Sequence, residues 1–240
     1  KKGMLGAKIA PSAEQEAAKK EMFGKFFAFA PPVLLVVIGK MATFGFMTHV
    51  AAAKDPIQLA AHQVCLSLFF FLAPFTEVSS QTAQSFLPTF EEKRETSQEW
   101  ALVARRLVNR LQLLAVGMGV AVAALGALIP RFAGSLFTQD LSVVAAMKPL
   151  AMPLFLAGAF HGFICSAEGV LLVRRDLGFL GKIYAASAII MPAVLLQLKR
   201  RAAPVPEIWT AFVWFQAIRA LILNLRVRLS DGGGAPAKVV

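Results

Sequence analysis

Six mostly apolar blocks, each about as long as a bilayer's hydrocarbon core is thick, follow one another along this chain of 240 residues. At 1.5 Å of rise per residue, a helix needs about 20 such residues to cross roughly 30 Å of hydrocarbon. The blocks fall at about residues 26–50, 57–79, 111–129, 153–173, 177–198 and 206–225. The second continues as a helix through Ser79-Ser80-Gln81-Thr82-Ala83-Gln84 to Pro88, and Glu91–Trp100 reads as a charged loop. Hydrophobic residues make up 57% of the chain and charged ones 16%, against about 45–50% and 25% in soluble domains. With a mean hydropathy of +0.64, a soluble globular enzyme is excluded. Long blocks instead of strict alternation exclude a transmembrane barrel. The fold class is therefore all-α, a polytopic membrane protein with six transmembrane helices.

Three regions follow from the same pattern. Residues 1–25 read as a polar, basic linker ending in an amphipathic lead-in, and 26–228 as the membrane unit. Residues 229–240 form a Gly/Ala-rich tail expected to be disordered. The first residue is Lys1, so the chain reads as an excerpt of a longer protein. Its net charge of +11 is placed between the blocks, not along one face with interleaved aromatics, which argues against a nucleic-acid partner. On one side of six alternating spans, the N-terminal segment holds six Lys/Arg, the second-to-third connection five, the fourth-to-fifth three and the C-terminus three. The other side holds six: Lys54, Arg131, Lys148 and Lys199–Arg201. The positive-inside rule then puts both ends in the cytoplasm or an equivalent compartment such as a stroma. That cation-rich side is called inner below.

Ionisable residues at membrane depth cost about 2.5–3.5 kcal/mol on insertion scales, so they face a bundle interior or a wet cavity. Five stand out: Lys40, Glu77, His161, Glu168 and Arg219. On the second helix Gln63, Ser67, Pro74, Glu77, Gln81, Gln84 and Ser85 share one stripe at 100° per residue. That stripe either joins helices by hydrogen bonds or lines an aqueous substrate path. His161 and Glu168, seven residues apart, share a face of the fourth span, about 10 Å apart along the axis. A carboxylate in a partly dry site could take a proton from one side and give it to the other, as an ion-coupled carrier requires; His161 is otherwise a satisfied interior histidine. Counted from Phe26, Lys40 lies about 21 Å from the inner edge; Glu168, counted back from Leu172, lies only about 6 Å from it. A direct Lys40–Glu168 pair is therefore not expected, and His161 is nearer to Lys40 in depth. Arg219, with Gln216 one turn earlier, is placed to bond a neighbouring helix or an anionic substrate. Pro31, Pro32, Pro74 and Pro153 free backbone carbonyls within or near spans, which neighbours or cavity water must satisfy.

Cys65 and Cys165 sit inside apolar stretches and read as small buried residues, not as a disulfide or metal ligands. No HExxH, GxSxG, CxxC or Walker A pattern occurs, so neither hydrolysis nor ATP-driven transport is supported. The closest approach to a nucleophile–base pair, Cys165 with Glu168, has no catalytic context. A non-transporting membrane scaffold or assembly subunit, in which the polar stripe serves helix association alone, is the alternative to a carrier.

Two motifs go further. Leu59-Ala60-Ala61-His62-Gln63-Val64, followed by Glu77 and by Ser80-Gln81-Thr82-Ala83-Gln84 before Pro88, resembles the opening of the second half of multidrug and toxic compound extrusion (MATE) transporters. With Lys40 in the preceding helix, it resembles the plant and algal, plastid-type branch. Glu168-Gly169-Val170-Leu171 through Asp176 is similar to the acidic element of the family's tenth helix, although Arg174 stands where that branch often has glycine. The resemblance spans about residues 22–228 and implies the C-terminal six-helix lobe, helices seven to twelve, partnered by an N-terminal lobe. It further implies a secondary antiporter exporting small organic compounds or xenobiotics in exchange for H⁺ or Na⁺, with no organic cofactor; a single lobe would be inactive. Glu168, Glu77 and His161 are the ion-coupling candidates. Lys40, Gln63, Gln81, Gln84 and Arg219 are the substrate-path candidates. The resemblance places the protein in a lipid bilayer, with the chloroplast envelope first and the plasma or vacuolar membrane as alternatives.

Overall fold

Apolar blocks of this length fold as helices because only an intrahelical ladder satisfies every backbone group away from water. A computed structural model of the protein describes residues 13–94 and 96–232. The elements are α1 (Ala13–Ala51), α2 (Pro56–Phe86), α3 (Pro88–Arg94), α4 (Gln98–Phe132), α5 (Leu141–Met147), α6 (Ala151–Val173), α7 (Leu177–Arg200) and α8 (Val205–Gly232). Among the described residues, five helical stretches are long and apolar enough to cross a membrane: Pro56–Phe86, Gln98–Phe132, Leu141–Val173, Leu177–Arg200 and Val205–Asp231. α1, at 39 residues, is the sixth long helix. The protein is an all-α, polytopic membrane protein.

Polar residues set the starts. Asp55 caps α2 by accepting the Gln58 N–H at 2.9 Å, with Pro56 entering the first turn. Asp140 caps α5 by accepting the Ser142 N–H at 2.8 Å. The ends of α6 and α7 close on non-glycine residues of positive φ, Arg175 at 55° and Ala202 at 53°. There the Asp176 N–H returns to the Leu171 carbonyl, and the Ala203 N–H to that of Leu198, each at 3.0 Å.

Helix ends differ from the sequence expectation where they leave the hydrocarbon. α1 is already helical at Ala13, inside the stretch read as a linker. The charged segment around Glu91 is not a plain loop, for α3 occupies part of it and α4 starts at Gln98. The approach to the fourth span is helical as α5 and a 3₁₀ turn over Lys148–Leu150. α8 runs to Gly232, so the expected disordered tail lies outside the described residues from 233 onward.

Contact registers give the directions. His161 meets Phe69 and Gly169 meets Ser80, so α6 and α2 run parallel. His62 meets Trp209 and Phe69 meets Phe212, which makes α2 and α8 parallel too. Gly39 with Tyr184 and His49 with Lys199 set α1 parallel to α7. α4 opposes α6, because Gly119 faces Gly162 while Ala123 faces Gly158. α6 is central, flanked by α2, α4 and α8, whereas α1 packs mainly on α7.

At the α4–α6 crossing, Ala115, Gly119 and Ala123 face Gly158 and Gly162. Small residues at four-residue spacing are what lets two backbones approach in lipid, where packing replaces hydrophobic drive. A Cβ on Gly162 would stand 2.9 Å from both the Ala115 carbonyl oxygen and the Gly119 Cα. Gly162→Leu is therefore expected to cost about 2 kcal/mol or more by overpacking. The measurement is the thermal midpoint of the full-length protein in detergent, and an unchanged midpoint would refute the tight crossing.

Candidate functional site: a buried carboxylate between two cations

Glu168 lies one turn before the end of α6 and is 7% exposed. Its two oxygens are taken by different helices. Oε2 accepts from Lys40 Nζ of α1 at 2.9 Å, and Oε1 from Arg219 Nη2 of α8 at 3.1 Å. Arg219 Nη2 also donates to the hydroxyl of Tyr184 on α7, and Nη1 donates to Gln216 Oε1 at 3.1 Å. The Tyr184 ring lies within cation–π reach of both charges, 5.4 Å from Lys40 Nζ and 4.7 Å from the Arg219 guanidinium carbon. Arg219 Nε is buried with no partner. Two cations against one carboxylate leave one positive charge in excess. The Lys40 side chain is 22% exposed, those of Glu168 and Arg219 only 10% and 8%, so the site opens on the lysine side.

The Lys40–Glu168 pair corrects the depth argument made from sequence. Phe44, one turn beyond Lys40, packs on Phe69, whose ring also meets His161. Lys40 therefore sits near the level of Cys165, only about 4.5 Å of helix from Glu168. Counting from Phe26 misplaced the inner edge, since α1 starts much earlier. Side chains also lean toward the N-terminus of their own helix. On antiparallel α1 and α6 that lean carries Lys40 inward and Glu168 outward, toward each other. Gly39 allows the close approach on the α7 side, where a Cβ would stand 3.0 Å from the Tyr184 carbonyl oxygen.

The other candidates lie apart from this cluster. His161 is buried against Phe69, with Nε2 3.6 Å from Cys165 Sγ, and lines a small apolar cavity with Leu72, Thr76 and Leu154. Gln63, Ser67, Pro74, Glu77, Gln81, Gln84 and Ser85 are all exposed along the outer face of α2. Gln84 folds back on its own helix, donating to the Ser80 carbonyl at 3.3 Å. Both cysteines are free and buried.

Sequence reasoning missed Tyr184, although the chain's one tyrosine in the middle of a span was a signal. It also missed two clamps. At the outer end, Trp209 Nε1–H donates to His62 Nδ1 at 3.1 Å, while Nε2 lies 3.3 Å from Thr48 Oγ1. An accepting Nδ1 fixes the neutral Nε2–H tautomer, which then donates to Thr48 and ties α1, α2 and α8 together. At the inner end, Arg174 pairs with Glu91 at 2.9 Å and Asp231 at 2.6 Å. Arg94 pairs with the same two acids, each at 3.2 Å. Arg174 thus clasps α3, α6 and α8.

This arrangement defines an integral multi-pass membrane protein with a charged cluster buried where its helices converge. No family model matches the chain, and no solved structure matches it. Among curated relatives, it is 31% identical over 209 residues, 87% of its length, to Protein DETOXIFICATION 47, chloroplastic, of Arabidopsis thaliana. It is 27% identical over 187 residues, 76% of its length, to Protein DETOXIFICATION 44, chloroplastic, of the same plant. The chain spans 38% and 34% of the lengths of these relatives. These matches support the likeness of the chain to plastid-type members of the multidrug and toxic compound extrusion family.

Burial ranks the two cations. Arg219→Met leaves Glu168 with one partner and empties the deepest part of the cluster, for an expected loss of about 3–5 kcal/mol. Lys40→Met is expected to lose clearly less, because Lys40 is the less buried of the two cations. Thermal midpoints of the two variants in detergent check this ranking, and equal losses would overturn it.

Proposed function

We propose that the chain is the C-terminal lobe of a secondary antiporter that exports small organic compounds in exchange for H⁺ or Na⁺, with an N-terminal lobe completing the cavity. The observation that carries this reading is a membrane-depth carboxylate divided between a deeply buried arginine and a partly exposed lysine. A coupling ion arriving at Glu168 competes with Lys40 for Oε2, because a protonated or Na⁺-bound carboxylate no longer holds the ammonium. Arg219 stays, held by Tyr184 and Gln216. Release of Lys40 removes the ion pair between α1 and central α6, while α7 stays joined to the cluster through Tyr184 and Arg219. The ion thereby acquires different affinities for two arrangements of the helices, which is the requirement for a ligand to shift their populations.

Among the described residues no helix covers the α2 stripe, so its residues serve no helix association within them. This supports Gln63, Gln81 and Gln84 as lining a path toward the opposite lobe, with Glu77 between Gln63 and Gln81 along it. His161, packed among apolar groups, is left a smaller part than Glu168 in ion coupling. The excess positive charge of the cluster favours Lys40 and Arg219 as attractors of anionic compounds. The printed names of both relatives place them in the chloroplast, and we assign this chain to a plastid membrane, the envelope first.

Proteoliposome flux by the full-length protein, with and without a pH or Na⁺ gradient, tests the reading. Glu168→Gln keeps the side chain's shape but not its charge. It is expected to abolish gradient-driven efflux while membrane insertion persists, and retained coupling would remove Glu168 from the mechanism. For Lys40→Ala, transport of anionic compounds is expected to fall more than that of cations or neutral molecules. A uniform loss would count against charge attraction.

A further inference from the structure

Away from the carboxylate cluster, α4 and α8 both pack against α6 and leave a crevice of about 550 Å³ between them. Its α4 wall is a stripe of falling polarity. Arg105 and Asn109 lie toward the inner face, Gln112, whose amide is bonded to Asn224, comes next, and Leu113 and Val116 follow deeper in the membrane, over about 16 Å of helix. Arg228 faces them from α8, and Phe163 of α6 forms the floor. Arg105 and Arg228 are exposed and make no ion pair or hydrogen bond among the described residues. The acid at this end, Asp231, is already committed to Arg174 and Arg94. The crevice therefore has a cationic mouth on the inner side and an apolar shaft beside the acyl chains.

We propose that this crevice binds a phospholipid with an anionic headgroup. The two arginines take the phosphate region, Asn109 donates to a headgroup oxygen, and one acyl chain lies along Leu113, Val116 and Phe163. A water-soluble anion would satisfy the mouth but leave the apolar shaft unfilled. A zwitterionic lipid would bring its own cation against two guanidinium groups. Each arginine near an anionic headgroup contributes about a fivefold preference, so two give roughly twenty- to thirtyfold.

The test uses the full-length protein purified in detergent and doped with phosphatidylglycerol or phosphatidylcholine, reading retained lipid by native mass spectrometry and the thermal midpoint. Phosphatidylglycerol is expected to be retained about twentyfold over phosphatidylcholine and to raise the midpoint. Arg105→Gln/Arg228→Gln is expected to bring the ratio near unity, while Leu113→Glu is expected to lower retention of both lipids by blocking the shaft. Equal retention of the two lipids by the unaltered protein would overturn the proposal whatever the variants do. So would full phosphatidylglycerol retention by the double variant, or equal stabilisation by glycerol phosphate, which would identify a soluble-anion site.

Discussion

A carboxylate inside hydrocarbon must be partnered on every side, and Glu168 draws the bundle together for that reason. Its two oxygens require donors from different directions, and those donors come from α1 and α8. Arg219, once buried, has its own donors to satisfy, and Tyr184 of α7 and Gln216 accept from two of them. One acid on α6 thus fixes the meeting of four helices. The balance is incomplete, with one positive charge in excess and Arg219 Nε unsatisfied. In a low-dielectric interior an unsatisfied group of this kind is expensive. It marks a place where an added ligand changes the energetics most.

The inner clasp is the useful contrast. Arg94 and Arg174 face Glu91 and Asp231, so two cations meet two anions. Nothing is left over for a ligand to neutralise, and the clasp acts as a fastener of α3, α6 and α8. The His62–Trp209–Thr48 chain is likewise complete, each ring nitrogen having one partner. Of these three polar assemblies, only the Glu168 cluster is charged in excess, and its lysine is partly exposed. The bundle's fixed points and its responsive point are therefore chemically different, and the responsive one lies between the α1/α7 pair and the group around α6.

Hydropathy makes the existence of the long helices legible and leaves their ends obscure. An apolar run of bilayer length has few alternatives to a helix. Once α1, α4 and α8 pass the interface, polar helix and polar loop carry the same hydropathy signal, so helical stretches near Ala13, Gln98 and Gly232 read as linker, loop and tail. The candidate site was legible in part. Lys40, Glu168 and Arg219 are each conspicuous as charges within spans, but their assembly depends on register between helices distant in sequence. A depth error of about two turns, with the lean of the side chains ignored, separates a pair that in fact lies 2.9 Å apart. His161 and Glu168 share a helix face in sequence, yet the neighbours of that face change within two turns, from Phe69 on α2 to Arg219 on α8.

Central placement gives α6 several separate tasks. Gly158 and Gly162 take the close crossing with α4, and Gly169 lies on the α2 backbone at Ser80. Glu168 points to α1 and α8, while Phe163, five residues and about 140° away around the helix, floors the α4–α8 crevice. A helix packed on so many sides is a poor candidate for movement, because any shift opens gaps at several interfaces at once. α1 is held differently. It packs mainly on α7, and its tie to α6 runs through one ion pair with a partly exposed lysine. Weakening that pair costs little packing elsewhere. The Thr48–His62–Trp209 chain holds the outer end of α1 to α2 and α8, so the physical reason to place any motion in the inner part of α1 is that its attachment to α6 there depends on charge, which a single ion can cancel.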